Sequence, residues 1–153
     1  MIQKPEQFMI VAATAEGGHL LTAFDAALLK AGIGDVNLVR LSSILPPDCR
    51  EAQSAIIFPR GAFVPTAYGA YCCEQTEELI AAAVGIGFAP DGSGVIMEHA
   101  GLCGAAEARQ KVEQMLEEAF TNRGRELVKL RVKSVEHRVG KRPGAAFAGV
   151  ALW

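Results

Sequence analysis

Two adjacent serines, Ser42 and Ser43, close a β-like run and precede a double proline in Asn37-Leu38-Val39-Arg40-Leu41-Ser42-Ser43-Ile44-Leu45-Pro46-Pro47. A backbone can cut itself in such a setting. The Ser43 hydroxyl can attack the Ser42 carbonyl and turn the amide into an ester. β-Elimination then splits the chain and leaves dehydroalanine at position 43, which hydrolyses to a pyruvoyl group. That electrophilic ketone can serve as a cofactor made from the chain itself. The plain alternative is a serine pair at the end of a strand. A second candidate is Glu98, which ends the apolar run Gly94-Val95-Ile96-Met97. A carboxyl in apolar surroundings keeps its proton to higher pH, as a proton donor must. Strand alternation could equally turn it to solvent. Asn37, upstream of the serines, offers an amide donor to an oxyanion formed at the cut, or is simply a strand-surface residue.

These residues need elements to hold them. Phe8 to Ala13 has strand length and composition, and Thr14 to Gly18 reads as a loop. Leu20, Phe24 and Leu28 recur at helical spacing, so a helix is expected over Leu20–Ala31, with Gly32 as its stop. Val36 to Leu41 alternates as a half-buried strand. Residues 48–60 read as a loop with a short extended piece at Ala55 to Phe58. Ala62 to Tyr71 reads as extended, and Glu77 to Val84 as a short helix. A strand is expected over Val95 to His99. The clearest helix runs from Ala105 to Asn122, its apolar face formed by Ala108, Val112, Met115, Ala119 and Phe120. Two further strands, Leu127 to Val135 and Ala145 to Trp153, complete an interleaved pattern that argues for layered α/β packing.

The chain has 153 residues, half of them apolar and 21% charged, enough for one domain with a real core. Its formal net charge of −2 gives no basic stripe for nucleic acid or an anionic membrane, and suits a cationic substrate. Its apolar runs fall short of a membrane span, and Met1 to Gln7 lacks a signal-peptide pattern. Cys49, Cys72, Cys73 and Cys103 have no metal-ligand spacing, nor do His19, His99 and His137, so no metal is expected. The thiols read as reduced, in a cytoplasmic protein.

The chain resembles the pyruvoyl-dependent arginine decarboxylases over nearly its whole length. The resemblance is carried by Ala23 to Leu29, Ala31 to Leu38, Ser42 to Pro47, Gly61 to Gly69, Ile96 to Glu98, and the C-terminal Val135-Glu136-His137 with Ala145 to Trp153. Gly17-Gly18-His19 departs from what is usual in the family, which leaves the local pocket shape open. The resemblance implies one domain over 1–153, self-cleaved between Ser42 and Ser43 into a β chain of residues 1–42 and an α chain of 43–153. It implies a four-layer α/β/β/α sandwich and a homo-oligomer, a trimer or hexamer of cleaved protomers, with active sites between subunits.

The implied reaction converts L-arginine to agmatine and CO2 through a Schiff base on the pyruvoyl group derived from Ser43. Glu98 then stands where the family has its catalytic glutamate. Asp25, otherwise a solvent-facing helix residue, becomes a partner for the substrate guanidinium through two parallel hydrogen bonds. Leu38 and Ile44 become pocket walls, although core packing accounts for them equally well. Thr66 and Tyr68 fall in a matching segment without a role. The alternatives are a pyruvoyl decarboxylase of histidine or ornithine, and an unprocessed, non-catalytic relative.

Overall fold

The computed structural model describes residues 3–153. Met1 and Ile2, which open the N-terminal segment read above and the β chain the resemblance implies, lie outside the described residues. Among the described residues, nine strands and two helices follow one another as β1 (Gln7–Glu16), α1 (Leu20–Lys30), β2 (Asn37–Arg40), β3 (Ile44–Leu45), β4 (Arg50–Glu51), β5 (Phe63–Cys73), β6 (Leu79–Phe88), β7 (Gly94–Gly101), α2 (Ala105–Arg123), β8 (Lys129–Arg138) and β9 (Gly144–Leu152).

The strands form two sheets. One has the order β2-β5-β9-β1-β4 and the other β3-β7-β6-β8. In the first, β9 runs antiparallel to both β1 and β5, while the short strands β2 and β4 lie parallel to β5 and β1 at its edges. The second is antiparallel throughout.

Strand alternation sorts the apolar side chains into separate clusters. One joins the two sheets and includes Phe8, Leu45, Ile80, Val84, Ile96, Ala148 and Val150. A second sets Ala23, Ala27 and Leu28 of α1 against Val11, Ala145 and Phe147. A third sets Ala108, Val112, Leu116 and Phe120 of α2 against Ala81, Ala83 and Val95. Burying each large side chain contributes about 1.5–3 kcal/mol.

Local signals explain both helices. The His19 backbone N–H donates to Thr22 Oγ1 (3.0 Å) at the start of α1. At its end Gly32 has φ 80° and the Ile33 N–H reaches back to the Leu28 carbonyl (3.0 Å). Gly124, at φ 60°, ends α2 in the same way.

Three expectations need correction. Glu77 to Val84 is not a helix: β6 begins at Leu79 and is the strand flanked by β7 and β8. It is covered on both faces, so its run of Ala, Val and Ile shows no alternation from which a strand could be recognised. Two of its glycines admit α2 at close range. A Cβ on Gly85 would lie 2.7 Å from Val112 Cγ1, and one on Gly87 would lie 2.8 Å from Phe120 Cε2. Ala55 to Phe58 forms no strand; the short strand in that region is β4. The loop read at Thr14 to Gly18 starts late, because β1 stays paired to β9 through Glu16.

Candidate active site

The two serines lie where the chain leaves one sheet for the other. Leu41 is the last residue tied to the first sheet, its N–H donating to the Thr66 carbonyl (3.0 Å). Ser43 is the first tied to the second, its carbonyl accepting from the Ile96 N–H (2.7 Å). Ser42 alone lies between these two anchors. It is exposed and Ser43 is half-buried. Ile44 then pairs with Val95, at the edge of the second sheet.

The hydrogen bond to Ile96 also fixes Ser43 relative to Glu98. Residues two apart on a strand share a face, and Ile96 belongs to the cluster between the sheets. Glu98 therefore projects toward the first sheet, where Gly69 of β5 leaves room for its stem. A Cβ on Gly69 would stand 3.4 Å from Glu98 Cβ. Only 20% of the Glu98 side chain is exposed. Burial holds its carboxyl above the ordinary carboxylate range, and the Arg40 guanidinium acts in the opposite direction.

Arg40 Nη2 is 3.8 Å from Glu98 Oε1, an ion pair too long for a hydrogen bond. Its own hydrogen bond goes to the Tyr68 carbonyl (3.0 Å), and its Cζ lies 4.8 Å from the centroid of the Tyr68 ring. Arg40, Tyr68, Gly69, Ala70, Glu98 and His99 contribute to a shallow cleft of about 290 Å³. A larger hollow of about 760 Å³ sits beside β4, lined by Lys4, Asp48, Arg50 and Glu51. Neither hollow is lined by the serines; of the two, only the smaller cleft holds Glu98.

The other expected site residues are not gathered at this cleft. Asp25 is exposed on α1, one turn from the exposed Leu21 and Leu29. The Asn37 side-chain amide donates to the Gly61 carbonyl (3.0 Å), at the end of β2 away from the serines. Leu38 is half-buried against the cluster beneath α1. Ile44 is 54% exposed on β3. Arg40 and Gly69 were not singled out from the sequence, and Tyr68 was left without a role. The one available signal was the place of Arg40 two residues before Ser42.

Position 43 fits a covalent pyruvoyl group. Its side chain is the hydroxyl from which the group forms, its carbonyl is anchored, and a carboxyl with a raised pKa lies on the same stretch of β7. Fold and site thus define a mixed α/β protein whose serine pair lies where two sheet edges meet. A family profile for pyruvoyl-dependent arginine decarboxylase matches residues 7–151. The chain is 45% identical over 151 residues to the pyruvoyl-dependent arginine decarboxylase of Methanocaldococcus jannaschii, covering 97% of this chain and 90% of that one. It is 42% identical over 150 residues to the enzyme of the same name from Thermococcus kodakarensis, and 41% over 153 residues to that from Pyrococcus abyssi. Each of these two alignments covers 97% of this chain and 96% of the relative. The chain belongs to the pyruvoyl-dependent arginine decarboxylase family.

Proposed function

We propose that this protein is a carbon–carbon lyase that decarboxylates L-arginine to agmatine and CO2, using a pyruvoyl group derived from Ser43. The full-length similarity to arginine decarboxylases carries this reading. The Ser43–Ile96 anchor, which sets the serine beside Glu98, supports it. When present, the pyruvoyl group supplies an electron sink for the carbanion left by loss of CO2.

The chain's own residues do the rest. The Ser43 hydroxyl attacks the Ser42 carbonyl, and scission follows between them, giving the β chain 1–42 and the α chain 43–153. Glu98, whose carboxyl pKa burial pushes up, delivers a proton to the substrate carbon after CO2 departs. Asp25 pairs with the substrate guanidinium, Asn37 donates to the oxyanion of the acyl shift, and Leu38 and Ile44 wall the pocket.

Asp25 and Asn37 do not line the cleft of their own protomer, so they act on the cleft of a neighbour. The exposed apolar residues Val39, Ile44 and Phe63 on or beside the sheet-edge strands give a neighbour something to cover. This supports a trimer, or a hexamer of paired trimers. The layers run α1, sheet, sheet, α2, a four-layer sandwich, and the whole chain is one domain. The four cysteines are free thiols, consistent with a cytoplasmic protein. No helix among the described residues is long and apolar enough to cross a membrane.

A denaturing mass spectrum combined with a substrate panel tests the proposal. Two chains, with a pyruvoyl-blocked residue 43, and CO2 release fastest from arginine are expected. One intact, inactive chain would point to an unprocessed relative, and preference for histidine or ornithine would point to the other decarboxylases.

A further inference from the structure

Arg40 is an exposed cation beside a carboxyl that must keep its proton, and the reaction as outlined gives it no part. Its guanidinium is fixed without help from Glu98. The Tyr68 carbonyl accepts from Nη2 at 3.0 Å and the Tyr68 ring lies beneath Cζ at 4.8 Å. From that fixed position it meets Glu98 Oε1 at 3.8 Å, in the same cleft.

We propose that Arg40, clamped by Tyr68, is a positioning residue for Glu98: it holds the carboxyl at the mouth of the cleft and sets the pH range over which that group carries a proton. This rests on Glu98 being the proton donor. An opposite charge within about 4–6 Å favours the ionised carboxylate. Arg40 thus counters burial and keeps the acid ready to give up its proton as well as to hold it. Among the elements packed against Glu98, β2 brings Arg40, β5 brings Tyr68, Tyr71, Cys72 and Cys73, and β3 and β6 bring no titratable side chain. His99, the next residue on β7, is held below the usual histidine range by burial and then by Lys111 of α2, with Glu107 opposing.

The sign of the expected effect follows. The protonated acid is the working form, so turnover falls as pH rises through the Glu98 pKa. Removing the Arg40 charge raises that pKa further and moves the limb to higher pH. Loss of positioning in Arg40→Met should separately lower the low-pH plateau of kcat, about ten-fold, with little change in KM. Its falling limb should move to higher pH. Arg40→Lys, which keeps the charge but loses the planar fork, should restore most of the limb position and less of kcat.

Because Arg40 is close to the scissile bond, activities are normalised to the cleaved α chain measured by mass spectrometry. Tyr68→Leu, distant in sequence from the cut, provides a second route. It should move the limb the same way by a smaller amount, while Tyr68→Phe, which keeps the ring, should not. A limb unmoved in Arg40→Met and Tyr68→Leu, with Glu98→Gln still losing turnover, would overturn the role of Arg40 alone. Full turnover by Glu98→Gln would instead overturn the proton-donor assignment on which it rests.

Discussion

The β9 strand and the β2–β3 crossover are two opposite uses of the same sheets. Every residue of β9 is buried, and it is zipped to β1 on one side and β5 on the other. By contrast, β2 and β3 are short edge strands, exposed at Asn37, Val39, Arg40, Ser42 and Ile44. The contrast separates holding from reacting. A strand paired on both sides leaves no backbone free to rearrange. An edge that passes from one sheet to another leaves one residue, Ser42, between two anchors, and any chemistry on the backbone has room there.

The strongest test of that division is removal of the Ser43 hydroxyl. Ser43→Ala should leave one intact chain in a denaturing mass spectrum and lower decarboxylation by at least about 10³-fold, since no electrophile forms. Its sheets should remain folded by circular dichroism. Cleavage in this variant would place the chemistry elsewhere.

Glu98→Gln should separate maturation from turnover. The chain should still be cut, while kcat falls about 10²–10⁴-fold, the usual cost of losing a general acid. Equal loss of both would assign Glu98 to processing or assembly. At the holding end of the comparison, Phe147→Ala on β9 should destabilise the fold by about 3–5 kcal/mol in denaturant titrations. Phe147 is fully buried and packs on Phe24 and Tyr68, with ring centroids 6.0 and 5.3 Å away. At a temperature where the variant stays folded, its kcat should change far less than that of Glu98→Gln.

The smallest effect is expected at Asp25. Asp25→Asn should raise KM for arginine about ten-fold and leave the denaturation midpoint of an isolated protomer nearly unchanged, because the side chain is exposed. No change in KM would remove it from the substrate site.

The residues proposed to react were legible in the sequence for reasons different from those that hide the fold's centre. Ser42, Ser43 and Glu98 stood out because they interrupt local patterns: two hydroxyls before a double proline, and a carboxyl on an apolar strand. The half-exposed elements β2 and β7 also showed themselves, since one side differs from the other along each strand. β6 has no such contrast. Its runs of alanine favour a helix locally, and the surroundings that make it a strand, β7, β8 and α2, are distant in sequence. Gly85 and Gly87 argued against a helix, but their purpose is visible only once α2 lies over them. Arg40 was obscured by its ordinary place on an alternating strand, because its meaning comes from Tyr68, twenty-eight residues later. Asp25 and Asn37 illustrate a further limit: neither lines the cleft that holds Glu98, so the roles proposed for them need a neighbouring subunit.

The Ser42 crossover joins a strand of one sheet to a strand of the other, and the proposed cut would fall there. The β chain would then keep β1 and the α chain would keep β9, and these two strands remain paired from Phe8–Leu152 to Glu16–Gly144. The native state would therefore lose a tether it does not need, whereas the unfolded state would gain the freedom of two separate molecules. Folding as one chain and working as two makes the sequence of events directional. A precursor can find its own partner strand at no cost of dilution, but a matured protomer that unfolds must meet a second molecule to recover. Scission would thus act as a one-way record that folding had already succeeded.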